Sequence, residues 1–240
     1  MSLVKLPFLL SGFVAAYTLQ TPPQARVPAH KREKDVGLLE WFVSASASFN
    51  VAVIKGFTSI PPLIEAAVIL ASRFQSYPLS QWILRVFTRN HPGLVRKLVL
   101  SPTFLAACAV GAVAGVLRYQ CYRTLGRFFT YELAIHNGHR LVTEGLYRYV
   151  RHPSYTAWIA GTVGVGLMSL TPGSWVRECD LLDTQGGKVA LVAGILWVVY
   201  GAVGLMVRTS TEDRMMKKEF GDEWEVYAQR VTYRMIPCVF

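Results

Sequence analysis

Apolar residues gather in five runs along the chain, separated by polar links rich in proline, glycine and basic side chains. The clearest runs, 98–117 and 189–207, contain no charged residue. A helix rises about 1.5 Å per residue, so some 20 apolar residues cross the ~30 Å hydrocarbon core of a bilayer. The run 153–170 lies between Arg151 and a Thr171-Pro172-Gly173 turn. A fourth, 49–72, is interrupted by Lys55, by Pro61-Pro62 and by Glu65. Two adjacent prolines remove two backbone donors, so this helix is expected to kink or to restart. The first run, 6–20, follows Lys5 and has the length of a signal peptide, but no small-x-small cleavage site precedes Gln20. It reads as a retained span. The expectation is an all-α, polytopic membrane protein with about five transmembrane helices. Residues 1–117 supply N-terminal spans and interfacial segments, and 118–240 carry the chemistry in a pocket at the cytoplasmic face.

Composition agrees with that pattern. The 240 residues are 52% hydrophobic and 17% charged, with mean hydropathy +0.32. These values exclude a disordered chain, a collagen or a small disulfide scaffold, and soluble domains usually carry about 25% charged residues. The net charge of +10 is unevenly spread: 73–97 has five basic residues and no acid, and 118–151 has six against two acids. Residues 208–240 balance six against six. Short basic stretches beside apolar runs suit anionic lipid headgroups. No basic patch lies on a soluble-looking module, so nucleic acid is not an expected partner.

Basic loops face the cytoplasm. If 118–151 and 208–240 both do, a hairpin of two spans separates them, joined by the net acidic loop 172–188. Counting back, however, places the basic 73–97 on the opposite face. Either part of 73–97 is an interfacial helix or the span count before residue 98 is off by one.

Glycines and cysteines add little chemistry. Gly111 and Gly115 form a GxxxG pair that permits close helix approach and helix association, while oligomeric state stays open. Gly161, Gly164 and Gly166 lie inside a span without a preceding strand, so they read as packing residues and not as a nucleotide loop. Gly161, Gly164 and Gly201 are candidates to open a lipid groove, with helix packing the stronger reading. Cys108, Cys121, Cys179 and Cys238 show no CxxC pair and no metal-ligand spacing, so no metal site is expected. Cys238 stands third from the end, one place short of a prenylation box.

The unusual polar residues fall in two places. One is His139-Arg140-Leu141-Val142-Thr143-Glu144-Gly145-Leu146-Tyr147, running on through Arg151-His152-Pro153-Ser154-Tyr155. The other is Arg208-Thr-Ser-Thr-Glu212-Asp213, followed by Met216 and by Phe220-Gly221-Asp-Glu-Trp224-Glu-Val-Tyr227. The first opens the span 153–170 and the second follows the span 189–207, so a helical hairpin brings them to one membrane face. Taken alone, each has a plain reading. Pro153 suits a helix start, Arg151 and His152 suit an interfacial anchor, and Arg208 and Glu212 form an i,i+4 pair. Phe220, Trp224 and Tyr227 at helical spacing read first as packing residues.

Together the two motifs resemble the isoprenylcysteine carboxyl methyltransferase family, in its fungal form, over roughly 118–237. The resemblance rests on His139-x-Leu-Val-Thr-x-Gly-x-Tyr147, Arg151-His-Pro-Ser-Tyr155, Arg208-x-x-x-Glu212, Met216 and Phe220-Gly221-x-x-Trp224-x-x-Tyr227. It also rests on Phe128-Phe-Thr-Tyr-Glu-Leu133 and on the ending Arg234-x-Ile236-Pro237. Asp213, Met216 and Trp224 stand where the family usually has Glu, Leu and Tyr.

The resemblance implies methyl transfer from S-adenosyl-L-methionine to the C-terminal carboxylate of a prenylated cysteine in CaaX-processed proteins. It implies a location in the endoplasmic reticulum membrane with the site facing the cytosol. By position, His139, Arg140, Leu141, Val142, Tyr147, His152, Pro153, Ser154, Tyr155 and Glu212 would hold the cofactor. Arg208 would act on the acceptor carboxylate through a two-pronged contact. A phospholipid methyltransferase acting on an amine is the alternative, but a cationic acceptor does not call for Arg208. A scaffold that has lost activity is a third possibility, although none of Arg208, Glu212 and His152 is lost.

Overall fold

In the computed structural model, which describes residues 3–21, 23–24, 38–129, 138 and 140–239, the described residues form helices and no strand. The helices are α1 (Lys5–Gln20), α2 (Leu38–Ala71), α3 (Pro78–Phe87), α4 (Pro102–Leu125), α5 (Pro153–Met168), α6 (Trp175–Glu178), α7 (Gln185–Phe220) and α8 (Asp222–Arg230). Each of the five apolar runs lies in a separate long helix. Ser48–Ala71, Pro102–Phe128 and Gln185–Phe220 are long and apolar enough to cross a membrane. At 16 residues each, α1 and α5 fall short of the usual span and are packed against α4.

Side-chain contacts fix the directions of the helices. Lys5, at the start of α1, forms a buried 2.5 Å ion pair with Glu65 near the end of α2 and donates to the Gly173 carbonyl beyond α5. The Trp175 amide donates to Glu65 at 3.0 Å, and Lys5 lies over the Phe104 ring at the start of α4. At the other end, Tyr122 of α4 donates to the Thr18 carbonyl of α1, and Arg118 of α4 reaches Ser154 of α5. Ser46 of α2 meets Tyr200 of α7. The five long helices therefore alternate in direction. Segment 73–97 lies at the end holding Lys5 and Glu65, because Trp175 donates to the Phe87 carbonyl.

The charges that interrupt the fourth run are accounted for by pairing. Glu65 is matched with Lys5, while Lys55 donates to Thr21 and lies over the Tyr17 ring. A charge at membrane depth persists only with such partners. α2 also continues through Pro61 and Pro62 and does not restart.

Small residues set the packing. A Cβ at Gly164 would lie 2.8 Å from the backbone nitrogen of Gly111, and one at Gly161 would strike Leu19 and Ala114. Gly115 faces Ala15, and Gly201 sits against the Trp158 ring. These glycines close helix interfaces, as their packing reading expects. The Gly111/Gly115 pair serves contacts within the chain. By contrast, α7 exposes Val192, Ile195, Leu196, Val199 and Val203, a surface suited to lipid.

Candidate active site

α7 has 36 residues, about 54 Å of helix, against a hydrocarbon core of ~30 Å. Its apolar part ends at Val207, and Arg208 is the first charged residue beyond it. The helix stops at Gly221, whose φ of +52° and ψ of −122° suit only a residue without a Cβ. α8 then folds back, and Trp224, Tyr227 and Val231 form an apolar cluster with Leu141, Met216 and Phe220. Tyr227 donates to the Tyr147 carbonyl at 2.8 Å, which ties α8 to the turn before α5. Phe220, Trp224 and Tyr227 are packing residues, as their spacing suggested.

That arrangement brings the two motifs into one cluster. Arg208 Nε donates to Glu212 Oε1 at 2.8 Å, and the Tyr155 hydroxyl donates to the same oxygen. His152 Nδ1 lies 3.2 Å from Glu212 Oε2, while its Nε2 lies 2.9 Å from Asp213 Oδ1. The Tyr155 ring stacks on the imidazole, with centroids 5.5 Å apart. Both ring nitrogens face carboxylate oxygens, and only an imidazolium can donate from both. Burial alone would lower the His152 pKa. The hydrogen bonds to Asp213 and Glu212, reinforced by their charges, outweigh burial and raise it above its ordinary value of 6.5.

Asp213, which the sequence reading quoted as a motif position without assigning it a role, is the centre of a second layer. Its Oδ2 accepts from Arg151 Nη1 at 2.7 Å and lies 3.4 Å from Arg234 Nε. Arg151 and His152 also donate their amides to the Tyr233 and Arg234 carbonyls, and Thr156 donates to the Met235 carbonyl. The segment 232–235 is thus strapped along the start of α5. Behind the site, the buried Arg118 donates through Nη1 to the Ser154 carbonyl and hydroxyl, and through Nε to Tyr122. Asp213, Arg151 and Arg234 stand in the motifs, but nothing local in the sequence showed that these distant segments would pair, and Arg118 carried no motif at all.

The remaining expected residues are more dispersed. Pro153 and Ser154 are buried at the first turn of α5, and Tyr147 is buried beneath α8. Leu141 packs in the α8 cluster, Val142 is half-buried, and Arg140 is exposed. His139 and the stretch 130–133 lie outside the described residues. Four cationic groups, Arg151, His152, Arg208 and Arg234, surround the two carboxylates Glu212 and Asp213.

The fold and this cluster define a multi-pass helical membrane protein with a charged site beside the ends of its apolar helices. Residues 106–176 match the model of the Isoprenylcysteine carboxyl methyltransferase (ICMT) family, bearing out the resemblance read from the motifs. That segment covers α4, the first motif and α5. Arg208 and Glu212 lie beyond it.

Among curated proteins, the chain is 31% identical over 121 residues to a "Probable protein-S-isoprenylcysteine O-methyltransferase" of Oryza sativa subsp. indica, covering 50% of this chain and 53% of that one. It is 26% identical over 198 residues to the "Protein-S-isoprenylcysteine O-methyltransferase" of Schizosaccharomyces pombe, covering 82% and 62%. It is also 26% identical over 118 residues to a "Delta(14)-sterol reductase" of Neurospora crassa, covering 43% and 24%. The chain spans between about a quarter and three fifths of the length of these relatives.

Proposed function

We propose that the protein transfers a methyl group from S-adenosyl-L-methionine to the C-terminal carboxylate of a prenylated cysteine in CaaX-processed proteins. The observation that carries this reading is Arg208, buried just beyond the apolar part of α7 and held through Nε by Glu212. An arginine fixed there suits an anion that arrives on a lipid tail. The excess of cations over carboxylates around it favours a carboxylate acceptor over an amine.

The residues fit the cofactor. Arg151 Nε is buried and has no hydrogen-bond partner in the cluster, which suits the carboxylate of an amino-acid tail. Glu212 accepts from three groups, leaving about one of its four acceptor sites for an ammonium. When bound, S-adenosylmethionine would supply an electrophilic methyl group. The acceptor carboxylate is already ionised at neutral pH, so no side chain has to remove a proton. Arg208 orients the acceptor oxygen, and Glu212 fixes the plane of that guanidinium. His152 and Tyr155 brace Glu212 from the other side. The principal contributions are then orientation and exclusion of water.

In this reading the site faces the cytosol of the endoplasmic reticulum membrane. The basic stretch 118–151 supports that orientation, 208–240 is balanced in charge, and 73–97 is the exception. The test offers purified protein in nanodiscs labelled S-adenosylmethionine with N-acetyl-S-farnesylcysteine or with phosphatidylethanolamine. Label in the prenylcysteine supports the proposal. Label only in the phospholipid would replace it with amine methylation.

A further inference from the structure

α3 has an apolar arc wider than the face that it packs. Leu84 is buried, and Ile83 and Phe87 are partly buried, against a core that includes Val68, Ile69, Val95 and Leu98. Beside them on the helix, Leu79, Trp82 and Val86 form an i, i+3, i+7 stripe and are 68%, 56% and 46% exposed. Phe74 and Tyr77, just before α3, are also exposed. Arg85 is exposed on α3 itself, and Arg73, Arg89, Arg96 and Lys97 flank the helix in the chain, all exposed and with no acid between 73 and 97. The helix leaves the end of α2 and leads towards the start of α4, both long enough to span, so it lies at a bilayer boundary. Its last turn is fixed there by Trp175, which donates to the Phe87 carbonyl at 2.7 Å.

We propose that α3 is an interfacial helix that inserts Leu79, Trp82 and Val86 among acyl chains and uses the surrounding arginines and Lys97 to bind anionic phospholipid headgroups. The charge and the boundary position identify the occupant: a stripe beside two spans meets acyl chains, and the five cations of 73–97 outnumber Glu178, Asp180 and Asp183 of the adjoining loop, leaving a net positive face that selects phosphate-bearing lipid. The site lies on the membrane face opposite Arg208 and Glu212, so the inference is independent of the chemistry proposed for that cluster. It also makes sense of a basic segment on the face where loop charge would not place it.

The test reconstitutes the full chain in nanodiscs of phosphatidylcholine with a minor share of phosphatidylglycerol, then counts retained anionic lipid by native mass spectrometry. The wild type should retain phosphatidylglycerol over phosphatidylcholine. Each cation near a headgroup contributes about fivefold, so Arg85→Gln with Arg96→Gln should reduce that preference about 25-fold, and lysine at both positions should restore it. In brominated phosphatidylcholine, the wild type should be quenched more than Trp82→Phe. Equal retention in wild type and the double glutamine variant would overturn headgroup binding. Equal quenching with and without Trp82 would overturn insertion. Displacement of the lipid by inorganic phosphate would show a soluble-anion site instead.

Discussion

At the scale of single residues, the central relation is between Arg208 and the groups that hold it. Arg208→Ala should lower turnover roughly a hundredfold or more while S-adenosylhomocysteine affinity stays close to wild type. Loss of cofactor affinity with acceptor binding intact would move Arg208 to the cofactor. Arg208→Lys should also fail, because a point charge cannot reproduce the planar fork. Asp213 makes a different prediction. Replacing it with alanine leaves Arg151, His152 and Arg234 without their shared carboxylate, and breaking a buried pair costs about 3–5 kcal/mol. Thermal unfolding in detergent should show a large loss, and an unchanged midpoint would contradict the strap.

His152 adds a pH dependence. Its pKa is raised on folding, so its contribution to stability is complete below about 6.5 and lost as pH rises through the elevated folded value. A His152→Gln variant should flatten that slope. Its persistence would place the titration elsewhere. On spacing alone His152, Arg208 and Glu212 had plain readings, and it was the family resemblance that drew attention to them; the structure brings the three together. The role of Asp213 was not foreseen, since its three partners come from 151, 152 and 234, a proximity that only folding creates.

At the scale of helices, the α4–α5 interface depends on Gly164, whose nearest neighbour is the backbone of α4. Gly164→Ala should destabilise by about 1–3 kcal/mol, because the new Cβ meets the Gly111 nitrogen at 2.8 Å and the Ala107 carbonyl at 3.1 Å, backbone atoms that cannot turn aside as a side chain can. Gly166 is the internal control. No atom lies within 4 Å of a Cβ there, so Gly166→Ala should be neutral or stabilise by up to about 1 kcal/mol. Equal effects at the two positions would show that helix propensity, and not close approach, decides. The hydrophobic runs gave the positions of the long helices but not their neighbours. Lys55 and Glu65 looked like breaks in a span. Their partners, Thr21 and Lys5, lie on a different helix, and nothing in the run itself reports that pairing.

At the scale of the molecule, alternation of the five long helices puts the Lys5 end of α1 and the strap 232–235 on opposite membrane faces. Tags placed before Lys5 and after the strap should differ in protease protection in sealed vesicles, and protection of both together would refute the topology. The same alternation carries both motifs to one face, which is the basis of the proposed reaction. The measurement that tests it most directly is the nature of the bond formed on N-acetyl-S-farnesylcysteine by the purified protein with labelled S-adenosylmethionine. The account predicts label that mild base releases as methanol, as a carboxyl methyl ester requires. Base-stable label, or none on the prenylcysteine, would contradict it.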